Sequence, residues 1–321
     1  MKQIKDINHI RLDNTVITLG KFDGCHIGHR KLFERAVQLK ENGLSAVIFT
    51  FSIHPSKVLS APADKTSDSM RLILTEEEQI EELYPEGIDY LVRFPFNKET
   101  KTMEPETFVK EILVEKFGVK DIVCGTDFRF GKDRKGTPET LKQLGRSLGF
   151  DVHVVEKVTV KPEGFPDEVE VSSSLIKHEI LKGHMENVQM MLGRPFFVRG
   201  IVRHGKHLGN TIGFPTINQT APEDKILPPD GVYATRTRIG GELFDSITNV
   251  GVRPTFDDGV KRNVETNLFG FDRDVYGQTA DVFFYRYIRP EKRFGNIMEL
   301  KEEIESNKKE VTAFFRKIPK A

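Results

Sequence analysis

Thr15-Val16-Ile17-Thr18-Leu19-Gly20-Lys21-Phe22-Asp23-Gly24-Cys25-His26-Ile27-Gly28-His29 decides how the first half of the chain folds. Its first five residues are β-branched or apolar with no polar alternation, the pattern of a strand buried on both faces. Gly20 to Gly28 breaks the run. Arg30 to Asn42 then places Leu32, Phe33, Ala36, Val37 and Leu39 at helical spacing, and Gly43 closes the helix. Working outward, further apolar strand runs occur at Ala46–Phe51, Tyr90–Val92, Asp121–Gly125 and Val152–Val155, with helical spacing over Phe108–Phe117 and Leu141–Leu148. Near-unbroken apolar strands alternating with helices predict an α/β domain with a parallel sheet covered on both faces.

The texture changes after about Gly183. Short alternating runs appear at Phe197–Val202, Gly231–Arg238, Phe244–Val250, Asn263–Phe269 and Thr279–Phe284, separated by Gly, Pro, Asn and Asp turns. They predict an antiparallel barrel or sandwich, with Gly240-Gly241 as a hairpin turn. Asn296 to Phe315 reads as a terminal helix. A junction is expected near His184, giving domains 1–183 and 184–321.

Composition narrows the function classes. The chain has 321 residues, 48 Lys+Arg and 48 Asp+Glu, with 38% hydrophobic residues. That length suits about two domains. Zero net charge argues against a nucleic-acid partner. No apolar run reaches the length of a membrane span, and Met1-Lys2-Gln3-Ile4-Lys5-Asp6 lacks the apolar core of a signal peptide. Cys25 and Cys124 are the two cysteines and form no CxxC pair, so a disulfide framework or cysteine zinc site is excluded. These features point to a cytoplasmic protein, monomeric or a weak homo-oligomer.

The Gly20–His29 stretch sits between a strand and a helix, where free N–H groups and the helix dipole favour a phosphate. It is neither GxGxxG nor a Walker loop. His26 and His29, three apart, put two imidazoles at the helix entrance, with Gly28 permitting close approach. Seen alone, HxGH is more often an ordinary loop with two histidines and a turn glycine; its place after a strand and before a helix favours the phosphate reading. Ser172-Ser173-Ser174 precede a second helical stretch, and Lys177 follows one turn on, so hydroxyls, N–H groups and a positive charge converge. In the second half, Gly205 and Gly209 punctuate a loop before Gly213-Phe214-Pro215-Thr216-Ile217-Asn218. Thr216 and Asn218, two apart in an extended strand, face the same way and can offer oxygens to Mg²⁺. Taken without context, a turn explains them as well.

These strings together resemble the bacterial bifunctional riboflavin kinase/FMN adenylyltransferase (FAD synthetase) family. Gly20-Lys21-Phe22-Asp23-Gly24 with His26, Gly28 and His29 is similar to its nucleotidyltransferase signature. Thr50-Phe51-Ser52-Ile53-His54-Pro55, Gly125-Thr126-Asp127-Phe128-Arg129-Phe130-Gly131 and Ser172 to Lys177 resemble its next three motifs, in order. The PTxN string, Glu265 and the Arg289…Glu291…Phe294 segment resemble its kinase half. The resemblance implies a Rossmann-like nucleotidyltransferase domain followed by a kinase barrel, with riboflavin, FMN and ATP as substrates and Mg²⁺ as cofactor.

It further implies Glu265 as general base, Thr216 and Asn218 as metal ligands, and Asp127, Phe128, Arg289, Arg293 and Phe294 as flavin contacts. ATP contacts are implied at Gly20, Phe22, Asp23, Gly24, Gly28, Ser172, Ser173, Ser174, Lys177, Gly205 and Gly209, with His26 and His29 catalytic. Three positions depart from the family pattern: Lys177 replaces an Arg that grips phosphate bidentately, Asn267 replaces a His, and Asn210 replaces a basic residue. The alternatives are a chain in which the adenylyltransferase alone is active and the barrel is a flavin-binding scaffold, a different HxGH nucleotidyltransferase, and a flavin-binding regulator.

Overall fold

In a computed structural model describing residues 1–51, 71–95, 97–203, 214–253 and 261–319, the apolar runs of the first half become strands β2 (Thr15–Leu19), β3 (Ser45–Phe51), β4 (Tyr90–Phe94), β5 (Val119–Gly125) and β6 (Asp151–Val155). With β1 (Lys2–Ile4) they form a six-stranded sheet in the order β1-β4-β3-β2-β5-β6, parallel throughout. Every residue of β2 is buried, as its unbroken run requires. The helices that cover the sheet include α1 (Ile27–Gln38), α2 (Glu76–Leu83) and α3 (Pro138–Leu148). The expected helix over Phe108–Phe117 is a wider coil over Phe108–Val114, in which Glu115 N–H donates to the Lys110 carbonyl five residues back. Several short elements fall outside the sequence expectation, among them β1, α2 and the antiparallel pair that completes this unit. β1 is three residues with only Ile4 buried, and α2 is an acidic helix capped by Thr75 and Glu78. A short antiparallel pair, β7 (Thr159–Val160) and β8 (Val169–Glu170), completes this unit, Met1–Ser173.

The order of strands places the site. β2 and β5 are neighbours, while the chain runs outward from β2 to β3 and β4 on one side and from β5 to β6 on the other. Such a switch point opens a crevice at the carboxyl ends of the two central strands. The loops that leave there are Gly20–His26 and Thr126–Gly136.

The second unit, Ser174–Ala321, contains α4 (Ser173–Lys182, whose first residue ends the first unit), α5 (Met185–Leu192) and a closed antiparallel barrel. Its strands are β9 (Phe196–Arg203), β10 (Thr216–Thr220), β11 (Gly231–Ile239), β12 (Glu242–Arg253), β13 (Lys261–Leu268) and β14 (Thr279–Arg289), ordered β10-β13-β12-β11-β14-β9 and closed by β9 on β10. Gly240 and Gly241 both take left-handed backbone, φ 60° and 83°, which gives the β11–β12 hairpin a turn that follows the strand twist. Five buried hydroxyls form a chain across β11, β12 and β13. Thr237 bonds Ser246 at 2.8 Å, Ser246 bonds Thr235 at 2.9 Å, and Thr248 bonds Thr235 and Thr266 at 2.8 Å each. A one-residue slip of β13 would turn Thr266 to the opposite face and break its bond to Thr248, so the end of this chain fixes the register of β13.

The terminal helix, α6 (Ile297–Phe315), buries Val311 and Phe315 against Val232, Ala234, Ile247 and Tyr285. Its end is held by Arg236, 2% exposed, which donates to Asp245 (3.0 Å), to the Pro319 carbonyl (2.6 Å) and to the Ile318 carbonyl (2.7 Å), over the Phe315 ring. Replacing Arg236 by Ala leaves these acceptors and the Asp245 charge without their donor. We expect a loss of about 3 kcal/mol in the urea unfolding transition of this unit, followed by circular dichroism.

Candidate active sites

The loop after β2 is shaped by backbone that few sequences tolerate. Phe22, Gly24 and Cys25 all lie in the left-handed region, φ 52°, 86° and 43°. Only Gly24 adopts this without strain. The loop is tied down from distant parts of the chain: Thr50 Oγ1 donates to the Lys21 carbonyl at 3.2 Å, Gln79 Nε2 to the Phe22 carbonyl at 3.2 Å, and Ser173 Oγ to the Asp23 carbonyl at 2.9 Å. Asp23 Oδ1 accepts from the Ile73 N–H at 2.8 Å. The Asp23 carboxylate thus braces the loop from within, while the Phe22 ring fills the space that a Cβ on Gly20 would enter at 2.8 Å.

The two histidines meet. Their rings stack at 3.5 Å between centroids, 18° apart, and the Phe22 edge packs on His29. His26 caps α1: its Nδ1 accepts from the His29 N–H at 3.3 Å, which leaves Nε2 as the protonated nitrogen of a neutral ring. Gly28 is close-fitting here, since a Cβ would sit 3.2 Å from the His26 imidazole. Its small size serves the histidine stack as well as any approaching phosphate. Burial drives the His26 pKa from 6.5 down to about 4, against the opposing pull of Asp23. His29 falls well below its ordinary value for the same reason, with His26 beside it adding to the shift. At neutral pH both rings are therefore uncharged hydrogen-bond donors.

Ser172 and Ser173 end the first unit, and the Ser173 contact brings this motif against the histidine loop. Ser174 and Lys177 lie in the second unit on α4, where Lys177 is buried. After β5, Asp127 is exposed and pairs with Lys157 at 3.2 Å, while the Phe128 ring stacks on Phe130 at 5.6 Å. Gly205, Gly209 and Asn210, together with the Ser52–Pro55 segment, lie outside the described residues.

In the barrel, β10 pairs with β13 so that Asn218 stands opposite Glu265 and Thr216 opposite Asn267. The Thr216 hydroxyl donates to Glu265 Oε1 at 2.8 Å. Asn263 and Asn267 share the face of Glu265, two residues to either side. Asn263 Nδ2 donates to Asn218 Oδ1 at 2.9 Å, and Asn267 Nδ2 to the Pro215 carbonyl at 2.7 Å. On the other flank, Asn249 of β12 stands opposite Glu265 and its amide donates to Glu291 at 3.0 Å. That contact draws the segment from Arg289 to Phe294 toward the same row. Within it, Arg289 pairs with Glu303 (2.9 Å) and bonds Asn307 (2.9 Å), Arg293 is exposed, and the half-buried Phe294 ring lies under the Arg289 and Lys292 cations. Sequence reading did not assign roles to Asn249 or Asn263. The signal for Asn263 was present, because Asn263, Glu265 and Asn267 alternate with the buried Val264, Thr266 and Leu268. Gln79 carried none, and Thr50 was marked only as the start of a motif, since the acceptors of both are distant loop carbonyls.

A doubly wound sheet with a histidine-bearing loop at its switch point, and a barrel carrying a threonine–glutamate pair, define a two-unit nucleotide-handling transferase. The first unit matches the family model for FAD synthetase over residues 9–173 and the second that for riboflavin kinase over residues 192–315. Bifunctional riboflavin kinase/FMN adenylyltransferase from Bacillus subtilis is 36% identical over 95% of this chain and 94% of its own length. The Listeria monocytogenes protein of the same name is 32% identical, covering 95% and 94%, and that of Escherichia coli K12 is 30% identical, covering 98% of each. A crystal structure described as a macrolide-efflux protein from Streptococcus pneumoniae superposes with a TM-score of 0.84 at 30% identity, over 96% of this chain and 97% of that one. Among the described residues no helix is long and apolar enough to cross a membrane. The chain belongs to the bifunctional riboflavin kinase/FMN adenylyltransferase family.

The lowered His26 value sets a pH dependence. The unfolded chain takes up a proton near 6.5 while the folded one resists it until about 4, so acid favours unfolding. The first unit should lose stability as pH falls from 6.5 toward 4, and His26→Asn should flatten that slope. Proton NMR titration should place the His26 ring midpoint near 4; a midpoint near 6.5 would contradict the buried, neutral ring.

Proposed function

We propose that the two units carry consecutive steps of flavin cofactor synthesis: ATP-dependent phosphorylation of riboflavin to FMN, then adenylylation of FMN to FAD with release of pyrophosphate. Adenylyl transfer is assigned to residues 1–183 and phosphoryl transfer to 184–321, in the cytoplasm, where ATP is supplied. The observation that carries the reading is the Thr216–Glu265 hydrogen bond. It joins two motifs 49 residues apart into one oxygen-rich cluster beside the Arg289–Phe294 segment.

In the kinase step the riboflavin 5′-hydroxyl attacks the γ-phosphorus of ATP, and the bond to the ADP oxygen breaks. Glu265 takes the hydroxyl proton. Its Oε1 is engaged by Thr216, which leaves Oε2 as the acceptor. Thr216, Asn218 and Glu265 are hard oxygen donors confined to one patch, and this set fits Mg²⁺. Among the described residues no three His, Cys, Asp or Glu side chains cluster as a metal cage, in keeping with a shell shared with ATP phosphates. Thr216 Oγ1 and Asn218 Oδ1 would hold the ion, and when bound it neutralises charge on the phosphoryl oxygens. Arg289, Arg293 and Phe294 are read as flavin contacts.

In the adenylyl step a phosphate oxygen of FMN attacks the α-phosphorus of ATP and pyrophosphate leaves. His26 and His29, held neutral by burial, donate N–H bonds to phosphate oxygens. The N-terminus of α1, Ser172 and Ser173 supply further N–H groups and hydroxyls. Gly20, Phe22, Asp23 and Gly24 keep the loop open to the nucleotide, and Asp127 and Phe128 are read as contacts to the flavin nucleotide. No covalent protein intermediate is needed, because in-line positioning and charge stabilisation suffice.

The two activities should separate genetically. Glu265→Gln should lower FMN formation from riboflavin by about 10²-fold or more while FAD formation from supplied FMN continues. His26→Ala should do the reverse. Chromatography of products after incubation with ATP, Mg²⁺ and either riboflavin or FMN reads both. A wild-type chain that makes FAD from FMN but nothing from riboflavin would instead identify the barrel as a scaffold.

A further inference from the structure

We infer that Asn263 is a positioning residue for phosphoryl transfer, whose amide selects which face of the Asn218 carboxamide meets the cation; this rests on reading Asn218 as a Mg²⁺ ligand. A carboxamide offers an oxygen on one side and an NH₂ on the other, and only the oxygen can face a cation. Asn218 is 5% exposed and sits in the middle of β10, so its orientation is set by protein neighbours rather than by solvent. The neighbour that acts on it is Asn263, which lies opposite Thr220 in the strand register yet reaches diagonally to donate to Asn218 Oδ1. The Thr216–Glu265 bond runs along the same diagonal of the β10–β13 pair. The two bonds are therefore successive rungs of one ladder, and the strand that carries the base also orients the ligand strand. The oxygen keeps a second lone pair beyond the one Asn263 occupies, so orientation and coordination are compatible.

Substitution by aspartate gives a test with opposite signs. Asn263→Asp offers acceptor oxygens only, so Asn218 turns to donate its NH₂ and withdraws its oxygen. If Asn263 had no orienting role, the added carboxylate would attract the cation instead. The full-length chain is titrated with Mn²⁺ in the presence of ADP and riboflavin, where no turnover occurs, and bound metal is read by electron paramagnetic resonance. The Mg²⁺ concentration for half-maximal FMN formation is measured alongside. The binding component that Asn218→Ala removes is that of the barrel. Asn263→Asp should weaken this component by about tenfold and raise the Mg²⁺ requirement in parallel, and Asn263→Ala should shift both in the same direction by less. Circular dichroism and the urea unfolding transition of the second unit verify that each variant folds. Unchanged or tighter metal binding in both variants overturns the inference. An Asn218→Ala chain that binds metal as wild type does would overturn the metal reading of Asn218 itself, and the inference with it.

Discussion

β10 is the shortest strand of the barrel, five residues, and the one through which the barrel closes, paired on one edge with β9 and on the other with β13. Everything in the proposed kinase site depends on that closure. Thr216 and Asn218 belong to a stretch with no helix or hairpin of its own to organise it. They acquire a defined orientation only by docking against Glu265, Asn263 and Asn267. The register of β13 is set in turn from the opposite face, where Thr266 joins a buried chain of hydroxyls shared with β11 and β12. A polar network inside a small barrel is costly unless each member is satisfied, and a satisfied one tolerates a single register.

The first unit solves a related problem by different means. Its loop after β2 stores strain at Phe22 and Cys25, and hydrogen bonds from β3, α2 and Ser173 hold that strain in place. The result is a helix N-terminus whose first turn carries two stacked, uncharged imidazoles. Neutral rings suit the proposed adenylyl transfer, in which a polyanion is bound and then released, because they donate hydrogen bonds without adding fixed positive charge. The helix N–H groups remain as the permanent positive end.

The departures from the family pattern acquire a local account at one position. Asn267, one of the positions at which the sequence departs from the pattern it resembles, donates to the Pro215 carbonyl and so anchors the turn entering β10. It performs a positioning task with a neutral amide. Lys177 keeps a positive charge on α4 as a point cation in place of a planar fork.

How much of this was legible in the chain follows from where each signal lives. Strands β2 to β4 were readable because burial on both faces demands unbroken apolar runs, β5 and β6 because they keep short apolar runs, and the barrel strands because polar and apolar residues alternate along them between turn residues. The motif residues were readable because their spacing is local. β1 and α2 were not, since one has a single buried residue and the other hides Glu78 and Gln79 within an acidic run. The braces Gln79, Asn249 and Arg236 were not either, and the bracing partners of Thr50 and Asn263 were hidden for the same reason: each acts on a partner brought near only by folding. Sequence alone determined most of the strands and helices, the order of an α/β half before an antiparallel half, and the chemical types present. Tertiary structure decided the ring stack, the neutral state of the histidines and the ladder joining β10 to β13, because these depend on burial and on hydrogen bonds between residues that local periodicity cannot relate.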